Sequence, residues 1–190
     1  MADKATAPGR ARRADATRNA QLLLAAAKDL FDEYGPEVAL DEVARRAGVG
    51  NATLYRHFPT RGDLLVAVYA DEVTALCEQG VTLLHKPSAA QALFTWLDSF
   101  VVHVATKRAL ALAATESSDE RRTELFDHWH ESMRSTAEGL LVRAQDAGVV
   151  RTDLTVADVL ALTSAAAIVG TSTHHARQLL RILHHGFVGA

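Results

Sequence analysis

Leu40-Asp41-Glu42-Val43-Ala44-Arg45-Arg46-Ala47-Gly48-Val49-Gly50-Asn51-Ala52-Thr53-Leu54-Tyr55-Arg56-His57-Phe58 reads as two short helices joined by a tight turn. Leu40, Val43, Ala44 and Ala47 recur at i, i+3, i+4 and i+7, so one face is apolar and Asp41, Glu42, Arg45 and Arg46 stay outside. Gly48 falls where a left-handed residue closes a helix, and Val49 is an apolar plug for the turn beyond it. Asn51 is the expected cap of the second helix, whose Leu54 and Phe58 sit four apart and face inward. Ala52, Thr53, Tyr55, Arg56 and His57 then fall on or beside the outer face, the pattern of a helix-turn-helix.

The outer face has the chemistry of a DNA reader. Thr53 can donate, accept or touch a thymine methyl, Ala52 lets the helix approach the major groove, and Tyr55 and His57 suit phosphates. Thr60-Arg61-Gly62-Asp63 has capping-box spacing, which sets backbone N–H groups and the Arg61 cation at a helix start where a phosphate is welcome. The candidate DNA-binding residues are therefore Asn51, Ala52, Thr53, Tyr55, Arg56, His57, Thr60 and Arg61. Ala47-Gly48-Val49 followed by Thr53-Leu54-Tyr55-Arg56-His57-Phe58 resembles the DNA-binding domain of the TetR family of bacterial transcriptional regulators. The likeness runs from about Arg18 to Leu65. Ala39 stands where that family usually has a capping threonine, a loss of about 1 kcal/mol partly offset by Asp41 and Glu42 at the helix start. Gly50 stands where it commonly has serine.

Composition agrees with an all-α fold. Four prolines and 6 % aromatics in 190 residues rich in alanine and leucine favour helices, and no run alternates with period two. No apolar run reaches the roughly 18 residues that span a bilayer, and the N-terminus lacks a signal-peptide core, so a cytoplasmic protein is expected. Cys77 alone excludes an internal disulfide. The net charge of −3 is unevenly spread: basic residues cluster as Arg10, Arg12, Arg13 and Arg18, then as Arg45, Arg46, Arg56 and Arg61.

Three segments follow. Residues 1–16 are expected as a disordered basic arm, 17–62 as the three-helix DNA-binding domain, and 63–190 as a larger helical ligand-binding and dimerisation domain. The first helix opens at Thr17 and ends at Gly35-Pro36; helix four, from Pro59 onward, links the two domains. Ser88 to Gln91 opens a helix with apolar residues on more than one face, a short helix is expected over 109–114, and Ser117 with Glu120 opens a long one ending at Gly148. Thr155 to Asp158 caps an almost wholly apolar helix, and the last spans about Thr173 to Phe187. This pair carries more apolar surface than one small subunit easily hides. The family resemblance implies that it forms a four-helix bundle with a second copy, through Leu162, Ala165, Ala166, Val169, Ala176, Leu179, Leu180 and Leu183.

Catalytic and metal-binding constellations are not found, so no enzyme, cofactor or metal is expected; the adjacent histidines 174–175 and 184–185 point about 100° apart on a helix. Trp96, Phe100 and His103, with Phe126, Trp129, His130 and Met133, are the candidate lining of a cavity for a small apolar effector, although the same spacing serves ordinary core. The expectation is a homodimeric regulator, a repressor released by its effector from palindromic double-stranded operator DNA, with no membrane role. The alternative is a ligand-handling enzyme or carrier with a vestigial DNA-binding domain.

Overall fold

A computed structural model describes the backbone over residues 8–115 and 120–187, and the side chains over 14–105 and 124–187. The described residues form eight helices and no strand: α1 (Pro8–Tyr34), α2 (Leu40–Ala47), α3 (Asn51–His57), α4 (Arg61–Leu84), α5 (Ala89–Thr115), α6 (Glu120–Asp146), α7 (Val156–Val169) and α8 (Thr173–Phe187). Contacts divide the chain into two compact units, Met1–Val68 and Tyr69–Ala190. The division falls inside α4, a few residues beyond the expected boundary at 62/63, because Leu64, Leu65 and Val68 are buried side chains of the first unit.

Two helix expectations are corrected. The arm expected to be disordered over 1–16 is helical from Pro8; proline is well placed at a helix start, and Arg10 to Ala16 are mostly good helix formers. The separate short helix over 109–114 is the end of the 27-residue α5, since no glycine or proline interrupts it. Ser117 lies outside the described residues.

In the first unit α1 packs on α2 and α3 around Leu23, Ala27, Leu30, Phe31, Val43, Ala44, Leu54 and Phe58, all buried. In the second, α5 is the hub, packed on α6, α7 and α8. Trp96 is wholly buried, donates from Nε1 to the Leu76 carbonyl at 3.0 Å, and stacks on Phe100 at 5.3 Å. α4 passes α6 at Gly80, where a Cβ would lie 2.1 Å from Thr136 Cγ2 and 3.1 Å from Trp96 Nε1; only glycine fits. Thr155 and Asp158 form the full capping box of α7, and Asp98 pairs with Arg177 at 3.1 Å between α5 and α8.

Candidate nucleic-acid interface

α2 is preceded by Ala39, which offers no side-chain cap, and is closed by Gly48 with φ 67°, the left-handed closure its position requires. The Val49 N–H then donates to the Ala44 carbonyl at 3.0 Å, fixing the turn. α3 starts from Gly50, also without a side-chain cap. Asn51 is therefore not the cap expected of it: it sits one residue inside the helix, and its Nδ2 donates to Asp41 Oδ1 at 3.0 Å, tying α3 to α2. With Leu54 1 % exposed and Phe58 buried, the opposite side of α3 is forced outward: Asn51, Ala52, Tyr55 and Arg56 are exposed, and Thr53 and His57 are half-buried.

The cations around this face differ in availability. Arg45 donates twice to the Glu42 carboxylate, at 2.6 and 2.8 Å, which holds the Glu42 carboxyl below its usual range and raises the Arg45 guanidinium. Arg46 approaches Glu33 at 3.7 Å. Arg61, expected to meet a phosphate, donates instead to the carbonyls of Pro36 and Val38 at 2.6 and 2.8 Å. The α1–α2 connection leaves those carbonyls without helical partners, and the long Arg61 side chain reaches back to satisfy them. Thr60 is likewise engaged: its Oγ1 and N–H both reach Asp63 Oδ2, at 2.7 and 3.0 Å, and the Asp63 N–H returns to Thr60 Oγ1, the capping box of α4.

A second constellation lies in the Tyr69–Ala190 unit. Tyr69 of α4 packs its ring 5.3 Å from His103, 5.1 Å from Phe126 and 5.4 Å from Trp129, and Phe126 meets Trp129 edge-on at 5.1 Å. Burial pushes the Tyr69 phenol up. Of the expected ligand-lining residues, His103, Phe126 and Trp129 are thus brought together, while Trp96 and Phe100 form their own stack and Met133 is buried core. His130 is corrected: it is exposed, one position past the inward-facing Trp129. Tyr69 is the member that sequence reasoning missed as a site residue. Its only signal was an aromatic hydroxyl at an inward position of α4.

Residues 23–68 match the family model for bacterial regulatory proteins of the tetR family, and residues 88–188, more than half of the chain, match the model for the SbtR-like transcriptional regulator C-terminal domain. The chain belongs to the TetR family of bacterial transcriptional regulators. The TetR match ends at Val68, where the first compact unit also ends. A TetR transcriptional regulator from Streptomyces coelicolor superposes with a TM-score of 0.77 at 30 % identity, over 90 % of this chain and 99 % of its own. The TetR regulatory protein from Mycobacterium vanbaalenii gives 0.75 at 34 % identity, over 93 % and 99 %. An HTH-type transcriptional regulator of Staphylococcus aureus is 37 % identical over 68 residues, 35 % of this chain; the match spans about a third of that relative's length.

In this TetR-family chain α7 and α8 divide the expected interface residues. Ala166, Ala176 and Leu180 are buried within the chain itself. Gly170 makes the crossing possible, since a Cβ there would lie 2.9 Å from the Ala176 Cβ. Leu162, Ala165 and Val169 are exposed, Leu179 and Leu183 half-buried, and the exposed Ile168 and Ile182 join them. Among the described residues no helix is long and apolar enough to cross a membrane.

Proposed function

We propose that this protein is a homodimeric, one-component DNA-binding regulator of the cytoplasm, a repressor and not an enzyme. Its first unit reads a palindromic operator, and its second binds a small apolar effector and the partner copy. The observation that carries the reading is α3 itself: Leu54 and Phe58 anchor one side, leaving Ala52, Tyr55 and Arg56 exposed with Thr53 and His57 beside them. Two such helices would enter successive major grooves about 34–36 Å apart. Asn51 serves this surface by bracing α3 against Asp41, and Arg61 and Thr60 by fixing the start of α4. The aromatic group of Tyr69, His103, Phe126 and Trp129 supports an effector site: three helices supply flat apolar faces with a phenol and an imidazole among them. An effector that binds one conformation better than the other would shift the dimer away from operator spacing.

Fluorescence anisotropy on an operator duplex tests the reader. Tyr55→Ala should weaken binding about tenfold or more, the usual cost of a lost DNA contact, with the thermal midpoint unchanged. Wild-type affinity in that variant would remove Tyr55 from the interface.

A further inference from the structure

Gln91, Thr95 and Ser99 stand four residues apart on α5, so they form one polar stripe about 12 Å long at the helical rise of about 1.5 Å per residue. The stripe lines an open cleft of about 620 Å³, together with Phe94 and Asp98 of the same helix and His184 of α8. None of these residues belongs to the aromatic group around Tyr69. We propose that this cleft is a second ligand site, which binds a neutral, polyhydroxylated small molecule of the class and length of a disaccharide.

Charge balance selects a neutral ligand. Among the described lining residues only Asp98 and His184 titrate near neutral pH or below it. Arg177 Nε donates to Asp98 Oδ2 at 3.1 Å, so the carboxylate is already matched. Burial, and after it the neighbouring His185, push the His184 imidazole down, which keeps it neutral at pH 7. A cationic ligand would have to compete with Arg177, and an anionic one would meet Asp98.

Hydrogen-bonding capacity selects hydroxyls. Ser88, which opens α5 and also lines the cleft, accepts from the Gln91 N–H at 3.2 Å and has its own O–H left to donate. Ser99 donates to the Thr95 carbonyl at 3.3 Å and has its oxygen left to accept. The Gln91 amide does both. An ether or carbonyl ligand cannot serve Ser99, and an ammonium cannot serve Ser88, whereas a hydroxyl serves either. Meeting the whole stripe takes several hydroxyls spread along it, which a ligand with one polar head lacks. Phe94 and His184, with ring centroids 3.6 Å apart, supply the apolar surface that the C–H face of a sugar ring covers.

The test is saturation-transfer NMR on the full-length protein without DNA, titrated with glucose, maltose and trehalose at millimolar concentrations. At least one of the two disaccharides should bind more tightly than glucose. Thr95→Trp fills the cleft from an exposed position and should abolish that binding with the thermal midpoint unchanged. Gln91→Ala should weaken it about three- to tenfold, the loss of a neutral hydrogen bond. Glucuronate and glucosamine, charged counterparts of glucose, should bind no better than glucose. Binding of none of the three neutral sugars, wild-type affinity in either variant, or tighter binding of a charged counterpart overturns the proposal. Because DNA is absent, each of these outcomes leaves the operator reading as it stands.

Discussion

Leu54 and Tyr55 are neighbours with opposite fates, 1 % and 47 % exposed, and the difference separates stability from recognition. Leu54→Ala should cost about 2–5 kcal/mol in urea unfolding, the range for emptying a packed leucine site. Tyr55→Ala should cost little stability and much DNA affinity; the reverse outcome would mean that α3 is turned over. Inward and outward positions of α3 were readable because a four-residue spacing leaves no choice of face. Side-chain bonding was not. Asn51 could cap or brace, and Arg61 could meet a phosphate or a carbonyl; each choice depends on which unsatisfied group folding brings near. Tyr69 was hidden for the same reason, since its partners lie on α5 and α6, more than thirty residues away.

Helix pairs decide which small residues are structural. Gly80→Ala ought to gain about 1 kcal/mol in helix propensity, yet the Cβ meets Thr136 Cγ2 at 2.1 Å, so the net effect should be destabilising by about 1–3 kcal/mol. Adding Thr136→Ser removes that methyl, keeps the hydroxyl bonded to the Ser132 carbonyl, and should restore most of the loss in the double variant. No restoration would show that α4 and α6 do not meet there. At the start of α7, hydrogen bonds from Thr155 hold the Asp158 carboxyl below its usual range. A lowered carboxyl pKa stabilises the fold above the ordinary aspartate value of about 3.9 and loses that contribution as pH falls through it. Asp158→Asn should therefore lower the thermal midpoint at pH 7, and by progressively less as pH falls below about 3.9 toward the lowered value of the folded state. Starts and ends such as Thr155, Gly148 and Gly48 were legible because caps are written in adjacent residues. The continuity of α5 was not, because alanine-rich sequence after Lys107 carries no stop signal of its own.

The dimer proposed above would form on surface that one chain leaves open. Val169 is 66 % exposed and Ile182 63 %, a cost that a second copy would remove. Val169→Glu should shift the protein from dimer to monomer in sedimentation velocity and, by removing the paired half-site contact, weaken operator binding; a dimer that persists would place the interface elsewhere. Which apolar residues of α7 turn inward was beyond sequence reading, since that helix is apolar on every side, whereas α8 is amphipathic and its inner face is written in its spacing. Ala166, Ala176 and Leu180 are buried within the chain, and at Gly170 the absence of a Cβ lets Ala176 approach α7 closely. The measurement that bears most directly on the regulator reading is selection of genomic fragments by the purified dimer at moderate salt, followed by sequencing. An enriched inverted repeat with half-sites about one helical turn apart is the expected result. A folded dimer that enriches no sequence would contradict it.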